Sequence, residues 1–150
     1  MKTMRTTMLL LAGFLASGNA LANGVKPEKA IEYRQGVFGA MGWQMGAMLP
    51  MVKGEKAFDK AEFAKLSGRL AALSEMPWEG FVPGSDKGNS KAKPELWKEM
   101  DKVKAGADKF QAESKKLADL AKGGDEKAIK AQFAEVGKTC KACHDNYKNK

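Results

Sequence analysis

Both cysteines and the single histidine of this 150-residue chain lie in one pentapeptide, Cys140-Lys141-Ala142-Cys143-His144, near the C-terminus. C-x-x-C-H is the pattern by which two thioethers tether a porphyrin while the adjacent imidazole binds its iron. Because the chain has no second histidine, the opposite face of that iron cannot be closed by imidazole. Other readings of the motif fit less well. A structural zinc site usually takes four Cys/His ligands, and the chain holds three. A thioredoxin-like pair needs a βαβ context, whereas the residues around this one read as helix. A disulfide across two residues would leave His144 unexplained. One covalent haem c, held by Cys140 and Cys143 and ligated by His144, is the expectation.

The N-terminus reads as an export signal. Met1-Lys-Thr-Met-Arg5 is a basic start, Met8 to Ala16 a short apolar run, and Ala20-Leu21-Ala22 an A-x-A cleavage site. Residues 1–22 are expected to be removed, leaving residues 23–150 as one domain in the periplasm, where c-type haem is attached. The apolar run is too short to span a bilayer and no later segment comes close, so no membrane association is expected.

Losing Lys2 and Arg5 takes the formal charge from +8 to +6, and two haem propionates bring it to about +4. That balance does not point to nucleic acid. The lysines are scattered along helices with no interleaved aromatics, the pattern of a solvated face. Lys138, Lys141, Lys148 and Lys150 cluster around the motif, serving either solubility or the attraction of an acidic redox partner.

The remaining sequence predicts four helices and no strands. Residues 28–52 place Ile31, Phe38, Met45 and Val52 at a seven-residue spacing, with Arg34, Met41 and Met48 between them. A second helix opens at Asp59, with Glu62 as capping-box partner and Phe63, Leu66, Leu70 and Leu73 as its stripe; Pro77 stops it. Residues 77–93 form one long connection rich in Pro, Gly, Ser and Lys. The third helix is expected to start at Pro94 and to bury Leu96, Met100, Val103, Ala107, Phe110, Ser114, Leu117 and Ala121 before Gly123-Gly124 ends it. Asp125 caps the fourth, whose stripe runs Ile129, Phe133, Val136, Cys140, Cys143 and Tyr147. The fold expected is all-α: an antiparallel up-down-up-down four-helix bundle with haem inside it.

Two features of the first helix bear on that haem. Arg34 sits at a core-type position, where a guanidinium needs an anion such as a haem propionate unless it snorkels to solvent at a bundle edge. Gly36, Gly39, Gly42 and Gly46 line one flank. Each costs about 1 kcal/mol relative to alanine, which suggests close approach by another helix, from the same chain or from a second subunit.

Four segments carry a resemblance over the whole of residues 23–150. They are Lys26-Pro-Glu-Lys-Ala-Ile-Glu-Tyr-Arg-Gln35, Met76-Pro-Trp-Glu-Gly-Phe-Val-Pro-Gly84, Lys93-Pro-Glu-Leu-Trp97 and Cys140-Lys-Ala-Cys-His-Asp-Asn-Tyr-Lys148. The chain resembles cytochrome c′, the high-spin class II c-type cytochromes. The resemblance implies a four-helix bundle, often a homodimer, with five-coordinate haem. It implies that Arg34 and Gln35 lie at the propionates and that Phe38 stands over the open iron face. Many members of the family have an aliphatic residue at the Phe38 position, and low-spin relatives have a ligating methionine. Lys148 stands where members commonly carry arginine beside the proximal histidine; lysine lacks the planar fork.

The function expected is binding of nitric oxide, and of carbon monoxide against steric resistance, in a crowded vacant distal site. Phe38 offers bulk and no hydrogen-bond donor, and nitric oxide bonds strongly enough to overcome crowding. The alternative is an electron-transfer cytochrome shuttling electrons between a periplasmic donor and acceptor. A methionine ligand would suit that role, but Met41 lies three residues beyond Phe38 and the methionines read as core filler. Catalysis is not expected, since the only histidine is taken by iron and no paired carboxylates appear.

Overall fold

Pro27 starts the first helix, α1 (Pro27–Lys53), where its missing N–H costs nothing, and Gly54 ends it in the left-handed region at φ 76°. The computed structural model describes residues 24–149, so the expected export signal, residues 1–22, lies outside the described residues. Asp59 caps α2 (Lys60–Leu73) by accepting the Glu62 N–H at 2.9 Å. The capping box is half formed: the Glu62 carboxylate binds Lys56 Nζ at 2.6 Å instead of reaching back to the cap. After a 3₁₀ turn at Pro77–Gly80 come a short helix α3 (Glu95–Lys98), then α4 (Met100–Gly123) and α5 (Glu126–Tyr147). Asp125 caps α5 through the Ala128 N–H at 2.9 Å.

The core is the space enclosed by α1, α2, α4 and α5, each packed on the next, which makes the fold a four-helix bundle. Phe63, Met48, Met51, Leu70, Leu117, Ile129 and Val136 are fully buried, each burial contributing about 1.5–3 kcal/mol. Phe63 joins one end of the bundle by stacking on Phe58 and meeting Phe133 edge-on.

Two expectations are corrected. On α1, Ile31, Arg34, Met41 and Met48 are buried as expected, but Ala30, Val37, Gln44 and Met51 complete the packed seam, and Phe38, Met45 and Val52 are only half-buried. The third helix is also not continuous from Pro94. Glu99 breaks it at φ −122°, ψ 36°, its N–H shared between the carbonyls of Glu95 and Leu96. Leu96 and Val103 stay buried on either side, but the break turns Met100 outward, 40% exposed.

Candidate functional site

α1 and α5 stand apart around a cavity of about 590 Å³, within the range of cofactor sites. On α5, Cys140, Cys143 and His144 recur at helical spacings of three and four, so all three reach this one wall. Val136, one turn earlier, is completely buried, while both cysteines are half-buried. The seam thus runs out of packed core into open space at the motif. Burial pushes both thiols above the ordinary cysteine range, so they are neutral. Burial, then the nearby Lys148 ammonium, pushes the His144 imidazole below its usual value, favouring the neutral ring with one nitrogen free to ligate.

These donors fit a tethered macrocycle better than a bare ion. Both thiols are free, which removes the disulfide reading. Among the described residues no three His, Cys, Asp or Glu groups converge on a point that could hold a metal by themselves. What the site offers instead is an apolar chamber with thiols and imidazole along one side. The half-buried flank of α1, turned one residue from the packed seam, supplies the other side with Phe38 and Met45.

Phe38 anchors an aromatic wall. It meets Trp78 edge-on at 5.9 Å and Phe81 at 6.3 Å between centroids. The indole N–H groups are engaged away from the chamber: Trp78 donates to the Ser74 carbonyl at 2.7 Å, Trp97 to the Val82 carbonyl at 3.2 Å. Gln35 lines the chamber and donates its amide to the Asn89 carbonyl at 2.9 Å. Met41 and Met45 line the chamber as well, whereas Met48 and Met51 are sealed in the core.

Arg34 is 3% exposed and meets neutral acceptors of the long connection. It donates to the Gly80 carbonyl at 2.7 Å, the Ser85 hydroxyl at 2.6 Å, the Ser85 carbonyl at 2.6 Å and the Ser90 hydroxyl at 2.9 Å. Its guanidinium carbon lies 4.7 Å from the Phe81 ring centroid and 5.4 Å from that of Trp97. Burial lowers its pKa and the Asp86 carboxylate opposes the shift. Arg34 therefore straps the long connection to α1 while its side chain also reaches the chamber wall. Gly80 permits this: a Cβ there would sit 2.9 Å from that of Arg34 and 3.0 Å from the Ala30 carbonyl oxygen.

The far end of the connection is strapped to α5. Ala92 and Lys148 form an antiparallel bridge. The Lys93 N–H donates to the Tyr147 carbonyl and the Asn149 N–H to the Lys91 carbonyl, both at 2.8 Å. The Tyr147 hydroxyl donates to the Glu99 carboxylate at 2.6 Å, and this bond pushes the phenol up to about 12. Neither Glu99 nor Ser85 and Ser90 was singled out from sequence. A polar residue in a loop carries no pattern until its partner is known.

The glycine flank is resolved in one respect. A Cβ at Gly36, Gly39, Gly42 or Gly46 would meet nothing within 4 Å among the described residues; Gly39 and Gly42 border the chamber, and Gly36 and Gly46 lie on the exposed side of the flank. On the same flank Trp43 is 77% exposed and Leu49 38%.

The family model described as Cytochrome C' matches residues 29–148. The cytochrome c' of Rubrivivax gelatinosus is 41% identical over 126 residues, 83% of this chain and 98% of that one. The solved cytochrome c prime from Shewanella frigidimarina superposes with a TM-score of 0.83 at 43% identity, covering 85% of this chain and all of that one. A nitric oxide complex of a substituted cytochrome c prime from Alcaligenes xylosoxidans superposes at 0.79 and 38% identity, over 85% of this chain and 98% of that one.

Proposed function

This chain belongs to the cytochrome c′ family, and from that premise we propose that it is a periplasmic gas-binding cytochrome whose ligand is nitric oxide. Cys140 and Cys143 would hold haem c through thioethers, and His144 would ligate its iron; the chemistry the haem would supply is binding of small neutral diatomics. Carbon monoxide is admitted less readily. The chain's own residues decide which gas stays. Phe38, held by Trp78 and Phe81, crowds the open side, and the donors nearest to it are engaged elsewhere. Bound O₂ gains no polar stabilisation there, whereas nitric oxide does not need it. The role is buffering or carriage of the gas, not catalysis.

One observation carries this reading: thiols and imidazole on one wall of a single chamber, a phenyl ring on the wall opposite. The nitric oxide complex of the Alcaligenes xylosoxidans relative supports it. The test is the absorption and EPR spectra of purified ferric protein, followed by addition of nitric oxide to the ferrous form. High-spin ferric iron and a stable adduct are expected; no adduct would end the proposal.

The electron-transfer alternative draws on Met41 and Met45, whose side chains also line the chamber. A low-spin six-coordinate ferric spectrum at neutral pH would favour it. Gln35 and the chamber edge of Arg34 are the candidates for the haem propionates. Export follows from residues 1–22. We also propose a homodimer that meets through the glycine flank of α1. Among the described residues no helix approaches Gly36 or Gly46, and the flank leaves Trp43 exposed.

A further inference from the structure

The bridge between the long connection and the tail of α5 assembles a group of cations that the sequence scatters. Lys91 and Lys93 come from the connection and Lys148 from the tail. Lys91 and Lys148 are exposed and line the rim of the chamber. Lys93 is held in place by donating to the carbonyls of Asn146 at 3.1 Å and Asp145 at 3.4 Å, at the C-terminal end of α5.

The acids nearest in sequence do not neutralise this rim. Asp145 pairs with Lys141 at 2.5 Å, Glu135 with Lys138 at 2.7 Å, and Glu99 with Lys102 at 2.8 Å. Lys138 and Lys141, which the sequence alone grouped around the motif, are therefore matched, whereas no acid among the described residues pairs with Lys91, Lys93 or Lys148. The large apolar side chains exposed among the described residues are Val25, Trp43, Leu49, Met76 and Met100, none of them on this rim. A positive rim without apolar anchors suits an electrostatic, short-lived protein contact better than membrane insertion or a stable interface.

We propose that Lys91, Lys93 and Lys148 form a docking face for an acidic protein surface, placed at the mouth of the cofactor chamber. This rests on the electron-transfer reading only for its purpose, since docking itself is read from charge.

The probe is a peptide of about twenty glutamates added to the holoprotein, with binding followed by calorimetry at several salt concentrations. Binding that weakens about tenfold or more between about 20 and 200 mM salt is expected. In the Lys91→Glu/Lys148→Glu variant binding falls at least about tenfold. In Lys60→Glu/Lys65→Glu, which changes net charge equally on exposed positions of α2, it falls less than about twofold. Lys93 is left intact because its ammonium secures the tail. Equal losses in the two variants, or binding indifferent to salt, would overturn the proposal. So would tighter capture by vesicles rich in anionic phospholipid than by the peptide, which would make the rim a membrane contact. Nitric oxide binding by the unsubstituted holoprotein, measured separately, tests the gas-binding reading, so failure of that reading and failure of the docking face are distinguishable.

Discussion

Replacing Arg34 by methionine keeps an unbranched stem in place and deletes the guanidinium. Two carbonyls, those of Gly80 and Ser85, lose their donors, at about 1–3 kcal/mol each where water cannot replace them. The two hydroxyls fare better. Ser85 keeps its donation to the Val82 carbonyl at 2.7 Å, and Ser90 still accepts the Ala92 N–H at 3.2 Å. Stacking over Phe81 and Trp97 adds roughly 0.5–2 kcal/mol per ring. Against these losses, the variant no longer desolvates a charge, and apolar replacement of buried ions recovers about 1–4 kcal/mol. The net expectation is a loss of about 3 kcal/mol, or roughly 10 °C in melting temperature for a domain of this size. Thermal and guanidinium unfolding of the holoprotein, followed by far-UV circular dichroism, reads it directly. Amide exchange at Ala92 and Lys93 should accelerate as well, because the connection loses one of its two straps. Arg34→Lys should fall between wild type and methionine, since a point charge cannot serve four acceptors. A loss below about 1 kcal/mol, or unchanged exchange in the connection, would refute the strap.

Three other outcomes are expected. Phe38→Ala should raise the carbon monoxide affinity of the ferrous protein by about tenfold or more, while the two lost aromatic pairs lower stability by roughly 1–3 kcal/mol; flash photolysis and a melt measure the two effects. Tyr147, pushed up to about 12 by its bond to Glu99, is protonated in the fold at pH values where the unfolded phenol is not. Its contribution is therefore complete below about pH 10 and lost as pH rises toward 12, so Tyr147→Phe should flatten the fall in melting temperature across that window. Gly46→Glu places a charge on the exposed flank of α1, outside the chamber lining, where a side chain has room in the monomer. Sedimentation should show a dimer for wild type and a monomer for the variant with an unchanged circular dichroism spectrum; a wild-type monomer would remove the dimer.

Much of the architecture was legible because it depends on local signals. Asp59 and Asp125 cap where a short side-chain acceptor precedes an apolar period, and Gly54 and Gly123-Gly124 mark where α1 and α4 end. The failures were partial. Ile31, Arg34, Met41 and Met48 are buried as their spacing implied, but Phe38, Met45 and Val52 continue the period of Ile31 without joining the packed seam, and Gln44 is a polar residue that no apolar count selects. Val37, Met41, Met48 and Met51 join the packed core, while Phe38 and Met45 look regular because a cofactor chamber also attracts apolar side chains. The break at Glu99 was invisible for a related reason. Met100 continues the apolar rhythm, and only the bond from Tyr147, 48 residues away in sequence, gives Glu99 a reason to leave the helix.

The sequence alone determined the chemistry on α5. Two thiols and an imidazole at helical spacing share a face wherever that helix packs, because backbone geometry settles their relation within one turn and a half. Only the tertiary structure decided what surrounds them: which acceptors quiet Arg34, which lysines gather at the chamber mouth, and which flank of α1 is left without a neighbour. Those outcomes depend on pairs of residues tens of positions apart. No pattern along the chain encodes such a pair until packing sets its distance.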